Sequence, residues 1–476
     1  MNTMKKLIIL LLLPFVFAQC KNQKEQVESS TSDNHMLASK IDSICRSFID
    51  KGNTIGFSIG IAHDGEVIFS KGYGMANIES KKPATDSTIY ALASISKFIT
   101  TIATMKLVEE GKLSLKDKVV DHIPNFPKQK YMDEITIEHL LLHQSGLIDH
   151  EDWFDDIYIN EKRVFTDEEF YAFLDRPLFF RPGNKYSYSN SGFAVLSRIL
   201  EKKYRQSFHD LIAENVGEPL NSNSLGMWPE IWNHKNATMG YELTEKGIDT
   251  SLHMMTKSMK GDGGLAASVL DLLKIMKGAT NGTLIKKESF DRMLQPTPIG
   301  EITVDYGLGT RLGDYSGQKT HGHSGGYKGT GWANLTHYVE SGYTFAAAMN
   351  TNYSPEEIWT LRHLVMPVIL NIEPPRMETA PIKNIEKYIG EYSAINRWGE
   401  EPPAKRIVSA KGDSLFWDNP ATEKPGAQLF QVVNNTFSWK AYPFDAFKFH
   451  EVDGKVVACS EYLDGSFAGI WMKSTD

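Results

Sequence analysis

Apolar residues recur at steps of three and four at Leu37, Ile41, Ile44 and Phe48, which predicts a helix. Ile55, Phe57, Ile59 and Ile61 then alternate with small or polar residues, and Asp64-Gly65 suits a tight turn. Val67 and Phe69 resume the alternation, so a β-hairpin is expected. The period is helical again at Ser94, where Ile95, Phe98, Ile99, Ile102 and Leu107 make an amphipathic stripe and Gly111 supplies a stop. Helical patterns also cover residues 137–142, 193–203 and 267–277, and strand patterns cover 302–312, 331–339 and 343–349. Strands at both ends with helices between them predict an α+β fold. One mixed sheet is closed by distant parts of the chain and carries a helical insertion.

The pattern changes at both ends of that unit. Lys5 and Lys6 precede an apolar run from Leu7 to Ala18, too short for a comfortable membrane span, and residues 1–19 read as a secretory signal peptide. Val16-Phe17-Ala18 suits ordinary cleavage. Cys20 suits lipidation and a membrane tether, although Gln19 is a poor residue before it, and both exits stay open. Either implies export to a bacterial periplasm or cell envelope. Residues 20–36 form a polar tether, 37–373 the main domain, and 374–384 a linker that begins around Glu373-Pro374-Pro375. Short aromatic or β-branched stretches at 414–417, 429–433 and 455–459 predict a small β-rich domain over residues 385–476. It carries no motif, so it is expected to be an appendage outside the chemistry.

Composition narrows the function. The 476 residues are 41% hydrophobic and 23% charged, with a formal charge of -8, enough to bury a core without disulfides. No basic run interleaved with aromatics occurs, and no nucleic-acid partner is expected. Of Cys20, Cys45 and Cys459, the last two are expected as unpaired buried thiols, with a bridge between them as the alternative.

The candidate chemistry begins at Ser94-Ile95-Ser96-Lys97, which sets a hydroxyl and an amine one helical turn apart on one face. A serine is a weak nucleophile until a neighbour takes its proton, and a desolvated lysine loses its charge more readily than one in water. Ser94 also opens the helix, where backbone N–H groups favour negative charge. The same spacing at Ser316 and Lys319 falls in a Gly-rich turn that aligns nothing. Tyr188-Ser189-Asn190 comes next. In an extended loop, residues two apart project together, so the phenol can relay a proton while the amide orients substrate or the lysine. Tyr158-Ile159-Asn160 repeats that pattern, which is therefore not selective by itself. Thr320-His321-Gly322-His323-Ser324-Gly325-Gly326 lies beside a predicted strand. Small residues there admit substrate to the backbone, and one edge N–H can complete an oxyanion hole with that of Ser94.

In this order and setting, the three elements resemble the serine β-lactamase and penicillin-binding-protein superfamily, particularly its class C β-lactamase, DD-peptidase and esterase branch. The resemblance covers residues 41–370. It includes Ile135-Thr136-Ile137-Glu138-His139-Leu140-Leu141-Leu142-His143-Gln144-Ser145-Gly146-Leu147 and Gly261-Asp262-Gly263-Gly264-Leu265. It implies Ser94 as the acylated nucleophile, Lys97 and Tyr188 as partners in proton transfer, and the backbone N–H groups of Ser94 and Gly326 as the oxyanion hole. It also implies substrate contacts from Asn190, His323, Ser324 and Gly325, and no cofactor. Efficient β-lactamases of the branch usually have Lys-Thr-Gly where this chain has His323-Ser324-Gly325, and a neutral histidine holds a carboxylate less strongly than an ammonium.

That departure favours an exported DD-peptidase, D-aminopeptidase or esterase acting on a small peptide, amide or ester through an acyl-enzyme. A class C-type β-lactamase and a noncatalytic, penicillin-binding sensor are the alternatives. A metallohydrolase would draw on His139 with His143, or His321 with His323. No glutamate follows His139 in the manner of a zinc protease, and no metal is expected.

Overall fold

A computed structural model describes residues 35–474 apart from 53, 162, 245, 251–258, 352–354, 374–376, 378–380, 396–402, 423–424 and 464. The expected signal peptide, Cys20 and nearly all of the tether lie outside the described residues. The first helix, α1, runs over residues 35–50. A hairpin follows, β1 (Gly56–His63) and β2 (Glu66–Asn77), and then α2 (Ile95–Glu109). The helical insertion holds α3 (Ile137–Leu141), α4 (Glu151–Glu161), α5 (Asn190–Tyr204) and α6 (Val269–Thr280). The chain returns to the sheet as β3 (Thr310–Tyr315), β4 (Gln318–Tyr327), β5 (Gly331–Tyr338) and β6 (Tyr343–Met349), followed by α7 (Pro355–Leu370).

The distant ends close the sheet. Phe57 to His63 of β1 pair in register with Met349 to Tyr343 of β6, and the antiparallel order is β3-β4-β5-β6-β1-β2. Ile41, Cys45 and Phe48 of α1 share one apolar cluster with Leu361 and Val365 of α7, while α2 and α6 belong to a second. The sheet is thus covered by helices on two apolar faces, as the expected α+β fold requires.

Two expectations change in detail. α2 is buried all round rather than on one stripe. Its remaining polar side chains make this possible, because the hydroxyls of Thr100, Thr101 and Thr104 bond carbonyls four residues back at 2.7–2.8 Å and leave no buried donor unmade. The strand expected over 302–312 is broken. Ile302–Val304 pairs with Thr297–Ile299 in its own hairpin, and the N–H groups of Leu308 and Gly309 go to Met293 and Leu141 instead of a strand neighbour.

The C-terminal unit is a closed β-barrel. Its strands are β7 (Gly390–Ser393), β8 (Lys405–Lys411), β9 (Ser414–Asp418), β10 (Ala427–Val433), β11 (Thr436–Trp439), β12 (Tyr442–Val452), β13 (Lys455–Leu463) and β14 (Ser466–Lys473). They pair in sequence, and Tyr392↔Lys473 joins the first to the last, which removes the open edges. Tyr388, Tyr392, Trp417, Phe437, Phe447 and Phe449 fill it with an aromatic cluster. Cys45 and Cys459 are buried free thiols in different clusters, and burial pushes Cys45 up to about 12.

The barrel packs directly against the main domain. Its Ala458, Tyr462, Phe467 and Ile470 form one apolar cluster with Tyr186, Ile299, Val304 and Tyr306 of the main domain. Ser466 pairs with Gly313 of β3, where a Cβ on Gly313 would lie 1.7 Å from the Gly465 carbonyl oxygen. Only glycine permits that approach.

Candidate active site

Ser94 occupies the N-cap position of α2 and makes no side-chain cap there. Ala93 before it is held at a φ of 45°, a left-handed conformation costly for a residue with a Cβ. Both line a cleft of about 430 Å³. Lys97 follows one turn later and is fully buried. Its Nζ lies 3.1 Å from Ser94 Oγ and 2.7 Å from Asn190 Oδ1, and it also donates to the Asp262 carbonyl. Two of these three partners can only accept. The serine hydroxyl alone can either accept from the amine or donate to it. Of the three partners of this amine, the Ser94 hydroxyl is thus the one that carries a proton it can give up.

Tyr188 and Asn190 do come together with this pair, though not by the alternation of an extended loop. Tyr188 ends an irregular stretch, Ser189 caps α5 by accepting from the Gly192 N–H, and Asn190 is the first helical residue. Lys97 Nζ lies 4.9 Å from the centre of the Tyr188 ring. The Asn190 amide is oriented from both sides, since its Nδ2 donates to Glu151 Oε2 at 2.7 Å while its Oδ1 receives Lys97. Asp149 fixes the backbone here by accepting from the Asn190 N–H at 2.8 Å.

Strand β4 supplies the third side. β3 pairs with it only as far as Arg311↔Gly322, so residues 323–327 have β5 on one side and the cleft on the other. A Cβ on Gly325 would fall 2.2 Å from the Leu92 carbonyl oxygen and 2.6 Å from the Ser94 nitrogen. Glycine thus lets the strand backbone reach the nucleophile. Ser324, Gly325 and Gly326 line the cleft.

His323 departs from expectation. It does not line the cleft but is buried behind it, with Nε2 3.2 Å from the Tyr306 hydroxyl and Nδ1 2.6 Å from the Ser324 carbonyl. The protons in this chain are ordered by one group that can only donate. The Ser189 N–H bonds His143 Nδ1, so His143 Nε2 carries the hydrogen and gives it to Tyr306. Tyr306 then donates to His323 Nε2, and His323 Nδ1–H donates to Ser324. Burial, reinforced by the cations of Arg311 and Lys97, holds His323 well below the usual histidine range. It is a neutral post joining the second element to the third, not a carboxylate reader.

The other histidines are also engaged structurally. His139 Nδ1 accepts the Thr136 N–H in the capping box of α3, and both ring nitrogens of His143 are used as described. Burial first, and His337 second, push His321 down to about 3. Among the described residues no group of three His, Cys, Asp or Glu side chains could hold a metal ion. Ser316 sits in the turn between β3 and β4 at a φ of 52°, and Tyr158 and Asn160 lie within α4, none of them in the cleft.

Several lining residues carried no local signal in the sequence. Arg311 enters from β3, gives Nη1 to the Phe467 carbonyl and stands 5.6 Å from the Tyr188 ring centre. Its Nε is buried with no hydrogen-bond partner among the described residues. Glu151, Met259, Tyr327, Trp332, Leu463 and Ala468 also line the cleft without such a signal.

Comparison with known proteins agrees with this geometry. The family profile described as "Beta-lactamase" matches residues 41–365. The chain belongs to the β-lactamase family. Penicillin-binding protein 4* of Bacillus subtilis is 29% identical over 286 residues, 56% of this chain and 62% of that protein, so less than two thirds of the relative is spanned. Among solved structures, the octameric penicillin-binding protein homologue from Pyrococcus abyssi is 25% identical with a TM-score of 0.64, covering 91% of this chain and 99% of that one. The D-amino acid amidase from Ochrobactrum anthropi SV3, at 20% identity, has the same fold with a TM-score of 0.61 over 70% of this chain and 99% of its own. In this β-lactamase-family chain the barrel lies beyond the profile match, yet it reaches the cleft.

Proposed function

We propose that this chain is an exported serine hydrolase that cleaves small amides or esters through an acyl-enzyme on Ser94. The observation that carries the reading is the Lys97 amine, surrounded by two fixed acceptors and one switchable hydroxyl. Ser94 Oγ attacks the substrate carbonyl carbon as its proton moves to Lys97 Nζ. The oxyanion is held by the N–H groups of Ser94 and Gly326, and the leaving nitrogen or oxygen takes a proton from the Tyr188–Lys97 pair. Water repeats the sequence on the ester and frees Ser94. Asn190, fixed by Glu151, keeps the lysine aimed at the serine.

The cations bear on the substrate class. His323 is hidden, which leaves Arg311 as the cationic side chain among the described residues that line the cleft. An amide or ester with a carboxylate near the scissile bond suits it, as in a D-alanyl peptide. Export through residues 1–19, with or without lipidation of Cys20, belongs to the same proposal. A fluorophosphonate or labelled penicillin is expected to modify Ser94 in peptide mapping, and Ser94→Ala to abolish it. Labelling that persists in Ser94→Ala would defeat the assignment. Parallel kinetics on a D-alanyl peptide, a cephalosporin and a short acyl ester would separate peptidase, β-lactamase and esterase.

A further inference from the structure

One wall of the cleft does not come from the hydrolase domain. Leu463 at the end of β13 and Ala468 in β14 face into it beside Arg311. The hairpin that bears them is fixed to the main sheet at several points. Ser466 pairs with Gly313 and its hydroxyl accepts from Arg362, while the Phe467 carbonyl accepts from Arg311. The Phe467 ring also packs edge-on against Tyr186, with 5.5 Å between centroids. The start of β14 is thus held to the main domain by backbone pairing, two guanidinium groups and an aromatic contact.

The position of this wall says which half of a substrate meets it. Gly326, Tyr327 and Trp332 line the far end of the β4 edge, while Arg311 stands opposite Gly322 and next to Tyr188. In acyl transfer the Ser94 Oγ–carbon bond forms, the carbon–nitrogen or carbon–oxygen bond breaks, and the departing atom receives its proton at Tyr188. The departing half therefore extends toward Arg311 and the barrel.

The geometry points to the β13–β14 hairpin as the leaving-group wall of the active site. Leu463 and Ala468 set the size of leaving group admitted, and the Phe467 carbonyl holds Arg311 against it. This inference rests on the acyl-transfer reading of Ser94.

The test uses the full chain and two ester series. One keeps the acyl group and enlarges the alcohol from methyl to benzyl, and the other keeps methyl and enlarges the acyl group. Ala468→Phe is expected to lower the benzyl-to-methyl ratio of kcat/KM by about tenfold or more, and Leu463→Ala to raise it, since a single methylene changes discrimination in an apolar pocket by about 10–200-fold. The opposite direction of Leu463→Ala keeps the inference testable should Ala468→Phe fail to fold. Ile407→Ala, on the exposed outside of the barrel, should keep the parent's ratios. Ratios unmoved in both cleft variants, or a change confined to the acyl series, would overturn the wall alone. A parent chain that is not labelled at Ser94 would overturn the acyl-transfer reading, and the wall with it.

Discussion

Tyr306 donates its hydroxyl hydrogen to His323 Nε2 across 3.2 Å, and the other nitrogen of that ring is spent on the Ser324 carbonyl. A histidine with both nitrogens committed inside the protein has nothing to offer a substrate carboxylate. Preference for carboxylate-bearing substrates over neutral esters is therefore expected to stay flat as pH falls from about 8 to 5, the range in which an exposed histidine titrates. Parallel kcat/KM profiles check this, and a ratio rising through that range would return His323 to the cleft. His323→Lys is expected to destabilise the fold by about 2 kcal/mol or more rather than improve carboxylate binding, because it buries a charge without a partner. Thermal unfolding measures that.

In the proposed reading Arg311 is the carboxylate reader. Arg311→Gln is expected to cost carboxylate-bearing substrates about 1.5–3 kcal/mol in kcat/KM, the worth of a charge-assisted hydrogen bond, and neutral esters much less. Equal losses in the two classes would mean that the arginine only supports the hairpin through Phe467.

Lys97 and Tyr188 are expected to act in the transition state. Lys97→Ala and Tyr188→Phe should each lower kcat by about 10²–10⁴-fold, with smaller effects on KM. Glu151→Gln is a gentler probe. It keeps the shape but weakens the acceptor that orients Asn190 Nδ2, so a kcat loss smaller than that of Lys97→Ala is expected. Single-turnover acylation and deacylation at parental rates in both Lys97→Ala and Tyr188→Phe would remove the assignment.

Local spacing explains which parts were legible in the sequence. Ser94 and Lys97 share one helical turn, and the strand pattern over 343–349 matches β6 residue for residue. Arg311, Leu463 and Ala468 meet across about 150 residues of chain, where no periodicity carries information, and a lone arginine in a strand has no signature. His323 was legible as a residue type but not as an environment, because its burial depends on Tyr306 arriving from a segment whose strand pattern is broken. The barrel was legible as short strands, and its docking was not, since Tyr186, Arg311, Gly313 and Arg362 meet it from segments distant in sequence.

Asp155 offers a test through pH. It sits in α4 one turn beyond Glu151, accepts the Tyr327 hydroxyl, and has Lys328 Nζ at 3.3 Å. Burial is the largest influence on it and outweighs the attraction of Lys328, so its carboxyl is raised from 3.8 to about 7. Below the unfolded value both states are protonated and the group costs nothing. Between there and about 7 the unfolded chain ionises first, so stability drains away as pH rises, and the penalty is complete above the folded value. Asp155→Asn can still accept from Tyr327 but never ionises. The melting temperature of the variant relative to the parent is therefore expected to climb from pH 5 to pH 8 and then level off. Each pKa unit is worth about 1.4 kcal/mol, which sets the ceiling at a few kcal/mol. A difference between the two proteins that stays constant across that range would mean that Asp155 ionises normally in the fold, and that the Tyr327 end of the cleft carries a full negative charge at neutral pH.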